Sequence, residues 1–229
     1  MSAPVPPPEP AEPGTLHGPV ERTDAAGAPV ERAQFNQGIL DGPLARFRPD
    51  GNLECEMHFL DGLLDGPLIA YAADGSVALR QSWRVGVLDG PAAIHAAGRP
   101  IAEMTYRMGK LDGPMRSYDT TGRVTSVAHY VADRLEGETT VLRPSGTVMR
   151  VMNYRAGLLD GETVDYWENG LVQRRSPYKD GKLDGWVIEW DETGRETARV
   201  QYAEDKPVAG PGGASTASKP GLLARLRGG

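Results

Sequence analysis

Tyr178-Lys-Asp-Gly-Lys-Leu-Asp-Gly-Trp-Val-Ile-Glu-Trp-Asp-Glu-Thr-Gly194 is one of eight variants of a single pattern written along the chain. Its central Gly185 belongs to a series with Gly18, Gly42, Gly66, Gly90, Gly113, Gly137 and Gly161, spaced by 24 residues with a single interval of 23. Nine places on stands a second glycine, at Gly27, Gly51, Gly75, Gly122, Gly146, Gly170 and Gly194, and eight on at Gly98. Seven places before the repeat glycine, or before Ala209 where the next would fall, stands an aromatic: Phe35, Phe59, Trp83, Tyr106, Tyr130, Tyr154, Tyr178 and Tyr202. A phase held this long is the signature of an internal repeat.

Each unit carries two short runs of mixed apolar and polar residues separated by glycine turns, which is a hairpin pattern with little helical periodicity. One turn reads Pro-Asp-Gly, Ala-Asp-Gly, Thr-Thr-Gly or Glu-Asn-Gly, and its third residue wants positive φ, which glycine supplies without strain. The other reads Asn36-Gln37-Gly38, Leu60-Asp61-Gly62, Arg84-Val85-Gly86, Arg107-Met108-Gly109, Arg155-Ala156-Gly157 and Lys179-Asp180-Gly181. Val85 and Met108 suit a type I′ turn poorly, so a type I turn closed by a glycine bulge is expected in both loops. Two hairpin turns per unit and no helical segment predict an all-β, elongated, single-layer antiparallel meander of roughly 15 strands, ~75 Å long at ~4.8 Å per strand. A parallel β-solenoid is the rival, but it would need gentle corners where this sequence places tight turns.

A one-layer sheet must draw its stability from rows of side chains. Besides the first aromatic column, a second lies five places after the repeat glycine, at Phe47, Tyr71, His95, Tyr118, Tyr166 and Trp190, with Leu142 in one slot. Leucine stands two places before it throughout, at Leu16, Leu40, Leu64, Leu88, Leu111, Leu135, Leu159 and Leu183. Cross-strand neighbours of these kinds each contribute ~0.2 to 1 kcal/mol. The repeat glycine would weaken its strand unless a neighbouring ring packs over the bare backbone, and that is the role expected for it. The fourth unit, one residue short and carrying Ala92, Ala93, Ala96 and Ala97, is the expected bend. Thr23 in place of an aromatic and Pro207 in the last unit mark the array's ends.

From about Leu16 to Ala209 the array takes up nearly all of the 229 residues. The 25 basic and 31 acidic residues of the chain, less three basic ones beyond the array and two acidic ones before it, leave the array at −7. A surface of that sign lacks the basic field that nucleic acid or anionic lipid needs, so no nucleic-acid partner is expected and membrane association is disfavoured. Cys55 is the only cysteine, which points to a reducing, cytoplasmic setting. The first residues show neither a basic start nor an apolar run, so neither export nor membrane spanning is expected.

Little in the array suggests catalysis. Asp41, Asp65, Asp89, Asp112, Glu136, Asp160 and Asp184 form a column, but equivalent positions lie two strands or ~10 Å apart, too far to share one calcium ion or one proton. A carboxylate bonding nearby backbone is the reading this spacing favours. His58 and His129 share a phase three units apart, and His17 and His95 occupy other phases, so no ligand cluster forms. Cys55 and His58 are three apart on a strand and point to opposite faces. None of the glycines sits in a phosphate-binding pattern. The expectation is a protein that is not an enzyme, with no metal and no cofactor. Tyr and Trp rows are also the material of binding grooves, and Trp83, Tyr106, Tyr118, Tyr154, Tyr166 and Trp190 are the candidate contacts for a protein partner.

Three segments follow: a Pro-rich disordered or polyproline arm over 1–15, the hairpin array over 16–209, and a flexible linker with a short tail over 210–229. In that tail Leu222, Leu223, Arg225, Leu226, Arg227 and Gly229 form a basic-apolar docking candidate, and its last five residues, Arg-Leu-Arg-Gly-Gly, resemble the terminus of ubiquitin, which would suit conjugation.

The aromatic-x-x-Gly-x-Leu-Asp-Gly motif of Tyr178 to Gly185, followed nine residues on by Gly194, resembles the MORN repeat, and more closely its bacterial variant found in proteins labelled as antitoxins. The likeness covers about 85% of the chain. Asp133 stands where the turn glycine is usual, and Glu138, Glu162 and Trp186 replace the proline that follows the repeat glycine in the first five units. The resemblance implies a twisted ribbon of β-hairpins acting as a protein-binding scaffold or adaptor, with an antitoxin or immunity role, and a toxin as partner, in its specific form. Eukaryotic relatives imply the alternative of a peripheral, phospholipid-associated adaptor.

Overall fold

The computed structural model describes residues 16–208, and every regular element in that range is a β-strand. The arm over 1–15 and the tail from 209, with its Leu222, Leu223, Arg225, Leu226, Arg227 and Gly229, lie outside the described residues. Twenty-two strands form one antiparallel sheet. Each long strand pairs with the long strands before and after it, so the chain is a meander with no crossover. The strand count exceeds the expected 15 because five first strands are interrupted just before the repeat glycine, as in Leu63–Leu64 followed by Gly66–Tyr71. There Phe59 pairs with Leu64 and Glu56 with Ile69, so four residues of one strand oppose two of its neighbour. The Asp-Gly step is a bulge, and the glycine takes φ near +111° at Gly66 and +122° at Gly185, a region closed to other residues.

The role expected of the repeat glycine needs correction. The ring does stand directly opposite in the hairpin register, Gly42 to Phe59 and Gly66 to Trp83. A Cβ at Gly42, however, would meet Gln34 Cγ at 2.8 Å, and one at Gly185 would meet Pro177 Cγ at 2.8 Å. The group that requires glycine is therefore the residue before the aromatic on the preceding hairpin, acting together with the positive φ.

The loops within units have the expected form. Arg48 N–H donates to Asn52 and Gly51 N–H to Arg48 across a three-residue connection, with Gly51 at φ +82°. Asp50, Asp74, Asp119 and Asp191 each accept the amide two residues on, an Asx turn. The loops between units do not. Gln37 and Gly38, Asp61 and Gly62, Val85 and Gly86, and Met108 and Gly109 all have positive φ at both centres, closing pairs such as Asn36 with Ile39. These are two-residue type I′ turns, matching the twist of the flanking strands.

Inter-unit bonds explain how Val85 and Met108 are held there. The amide of each turn's second residue donates to the leucine carbonyl one unit back: Gly62 to Leu40, Gly86 to Leu64, Asp133 to Leu111 and Gly181 to Leu159. In four turns the first residue's amide is also met by the acidic column, as Val85 N is by Asp65 Oδ2 at 2.9 Å and Ala156 N by Glu136 Oε2 at 2.8 Å. Where aspartate replaces the turn glycine, its carboxylate adds a bond of its own, Asp133 Oδ1 accepting from Leu111 N at 2.8 Å and Asp205 Oδ1 from Leu183 N at 2.8 Å. Asp65, Asp112, Glu136 and Asp160 of the acidic column are thus backbone caps at one rim of the sheet. The opposite rim is stitched by Arg48 and Arg143, which donate to the carbonyls of Tyr71 and Tyr166 one unit on, and by Trp167 Nε1 to Trp190 O at 3.0 Å.

The short fourth unit absorbs its missing residue in the loop. Ala97 and Gly98, at φ +49° and +73°, close Ala96 on Arg99 as a type I′ turn, and pairing continues on both sides. The last unit ends with Lys206–Pro207 paired on Ala203 and Tyr202. The small core lies under the first units, where Leu44 is 1% exposed and packs with Ala33 and Phe59, flanked by Phe35, Leu40, Met57 and Leu64.

Candidate functional site

Strand alternation sorts the side chains onto two faces. One carries the core: Ala33 opposes Leu44, Leu44 opposes Met57, and Phe59 lies two places beyond Met57. The first aromatic column belongs to this face, as Tyr106 and Tyr154 show by donating to Met104 Sδ and Met152 Sδ two residues back. The second column belongs to the other face. Tyr71 Oη donates to Glu56 Oε2 and Tyr118 Oη to Glu103 Oε2, both at 2.6 Å, and those glutamates alternate with the buried row.

The six aromatic candidates therefore do not share one surface. Trp83, Tyr106 and Tyr154 stand on the core face, and Tyr118, Tyr166 and Trp190 on its reverse. Hairpin register separates them: the first-column ring pairs with the repeat glycine, as Trp83 does with Gly66, whereas the second column stands five residues beyond that glycine on its own strand, an odd step that turns it to the other face. What joins the members of each column is the regular register, and all six are half-buried.

A groove of about 400 Å³ runs over the reverse face of units three to five. Its lining alternates down the strands as Pro67, Ile69, Pro91, Ala93 and Pro114, with Arg80, Glu103 and Arg116 among them. Proline fits at the position after the repeat glycine because the bulge there leaves no ladder partner for an amide on the preceding strand. A smaller groove over Pro19, Glu21, Arg32, Gln34, Pro43 and Ala45 continues the same row in the first two units. In the last three units Glu138, Glu162 and Trp186 stand where these prolines stand.

The groove's charges are arranged by the tyrosines. Glu103 opposes Arg116 across the strands, yet its carboxylate takes the Tyr118 hydroxyl. That hydrogen bond, with lesser contributions from burial and the negative charge, pushes the Tyr118 phenol above its ordinary range, and Glu56 acts likewise on Tyr71. Among the described residues, Arg80 and Arg116 take part in no ion pair and no side-chain hydrogen bond, unlike Arg32, which bonds Glu21 at 2.6 Å and stacks on Phe47. The residues that carry this site were not singled out by sequence reasoning. The signal available for them was the proline after Gly42, Gly66, Gly90 and Gly113.

Other chemistry-bearing residues stand apart. Cys55 is buried and its thiol is pushed up by that burial, whereas His58 is exposed with Nδ1 2.9 Å from the Asp65 carbonyl oxygen. No group of three or more His, Cys, Asp or Glu side chains among the described residues is placed to hold a metal ion. No helix of the described residues is long and apolar enough to cross a membrane.

Neither a scan against protein-family models nor a search of the curated proteins finds a match. Among solved structures, the chain is similar to part of the GtfA/B complex bound to UDP and GlcNAc, at 14% identity and a TM-score of 0.23, over 48% of this chain and 22% of that chain.

Proposed function

We propose that this protein is a cytoplasmic, non-enzymatic protein-binding scaffold of the MORN type, whose docking surface is the proline-lined groove of units three to five. The observation that carries the reading is that groove: an apolar floor of Pro67, Ile69, Pro91, Ala93 and Pro114 flanked by arginines left free of ion pairs. Apolar floors bordered by charge are the usual anatomy of a recognition site. The sheet behind is stitched at both rims, so the groove is presented in a fixed shape, which limits the entropy lost on binding.

The antitoxin or immunity role is the specific version that the repeat resemblance implies. Affinity capture from the native host tests the scaffold. A specific partner is expected with the full chain, retained by Val164→Glu and lost with Ala93→Glu, the same offset from the repeat glycine in two different units. Equal capture by both variants contradicts the groove. For the antitoxin version, the captured protein arrests growth when expressed alone and is neutralised by co-expression of this chain. A partner that leaves growth unchanged removes that version.

A further inference from the structure

We infer that the groove of units three to five takes the acidic, proline-rich arm of a second copy of this chain, with Glu9 and Glu12 set against Arg80 and Arg116. The groove side follows from register. Arg80 pairs with Ala93, Ala93 with Glu103 and Glu103 with Arg116, which places both arginines in one row on one face, three strand steps or ~14 Å apart. Both are exposed, and the floor between them is Pro91 and Ala93 with Pro67 and Pro114 at its margins.

The arm side follows from sequence. Pro4, Pro6, Pro7, Pro8, Pro10 and Pro13 give the segment the composition of peptides that dock as polyproline II, and Glu9 and Glu12 stand three residues apart between them. Docked in that form, with three residues per turn and a rise of ~3.1 Å per residue, the two carboxylates would face one side ~9 Å apart. The remaining ~5 Å is within reach of two long arginine stems. Proline segments dock on grooves of this type with little ordering entropy, and guanidinium–carboxylate pairs are strong when bidentate. Two carboxylates stand in the row, Glu103 between the arginines and Glu56 two strands before Arg80, and hydrogen bonds from Tyr118 and Tyr71 keep each turned to its ring.

Reach decides that the arm comes from another copy. From Gly18–Thr23 to Val77–Arg84 is five strand steps, ~24 Å, and to Gly113–Tyr118 eight, ~38 Å. Glu12 is four residues from Leu16 and Glu9 seven, spans of at most ~14 Å and ~25 Å. A chain's own arm cannot lay both carboxylates on both arginines.

Sedimentation equilibrium of the full chain tests this, alongside fluorescence anisotropy of a labelled peptide of residues 2–14. Concentration-dependent self-association is expected, weakened about tenfold by Glu9→Gln with Glu12→Gln and equally by Arg80→Gln with Arg116→Gln. Peptide binding should fall by the same factor in the arginine variant and tighten severalfold in Glu103→Gln. A full chain that stays monomeric to millimolar concentration overturns the inference, as does self-association indifferent to the glutamine variants. Because the glutamates precede Gly18–Thr23, the first strand, in sequence, the array itself is unchanged in their variant and loss of fold does not imitate the effect. Capture of a different protein by the same groove supports the scaffold reading and not this one, so the two fail separately.

Discussion

The first five units and the last three have the same strands, turns and inter-unit bonds, yet they bury and expose different chemistry. Two places after the repeat glycine, the early units place Leu44 and Ala92 in the buried row, whereas the late ones place Thr139, Thr163 and Val187 there. One place after it, the early units carry proline and the late ones Glu138, Glu162 and Trp186. The difference teaches that backbone register specifies the ribbon, and that side chains at two offsets are then free to make one half apolar inside and grooved outside. Charges pack on the core face of both halves: Arg46 pairs with the buried Glu31 in the early one, Arg150 with Asp165 and Arg174 with Glu189 in the late one.

Substitutions at equivalent offsets sharpen that contrast. Leu44→Ala removes the most buried large side chain and is expected to destabilise by ~3 kcal/mol in chemical denaturation, because the cavity adds to the lost transfer energy. A cost below ~1 kcal/mol would mean that the early half has no real core. At the same offset in the late half, Thr163→Val is expected to stabilise by ~1 kcal/mol, since Thr163 Oγ1 and Thr139 Oγ1 are buried without a hydrogen-bond partner. Destabilisation there would show that the hydroxyl is satisfied in solution.

Val85→Asn comes next, with a gain of up to ~1 kcal/mol, because a β-branched residue at φ +47° is strained and asparagine followed by Gly86 is the favoured pair for a type I′ turn. The gain is read as a higher denaturation midpoint. No gain would mean that the Asp65 cap already removes the strain.

The smallest effect is on tyrosine ionisation. Tyr71 and Tyr118 have folded pKa values raised by their carboxylate partners, so their contribution to stability is full below the ordinary tyrosine pKa of ~10 and is lost as pH rises through the folded value. In an alkaline absorbance titration three late-titrating tyrosines are expected: Tyr178, raised by burial, persists, while one of the other two returns to the ordinary range in Glu56→Gln and the second in Glu103→Gln. Three late-titrating tyrosines in the double variant would contradict the assignment.

Most of the fold was legible because spacing carries it. The 24-residue phase, the two glycines and the aromatic seven places back give the hairpins, the meander and the hairpin register of Gly66 on Trp83. The type of the inter-unit turn was not legible from Val85 and Met108, since the bonds that hold those residues at positive φ come from Asp65 and Leu64, or Leu88, one unit earlier. The site was less legible still. Aromatic content pointed to a single face, but the first column pairs with the repeat glycine while the second lies an odd step beyond it, and the groove belongs to the prolines. Nor could sequence show that Tyr118 would occupy Glu103 and leave Arg116 free.

Docking on the grooved half separates the two halves in function, and a photo-crosslinking amino acid placed at Ala93, and separately at Val164, in the full chain within its native host tests that separation. Crosslinked products are expected from position 93 and none from 164. Equal products from both positions, or products from 164 alone, would contradict it.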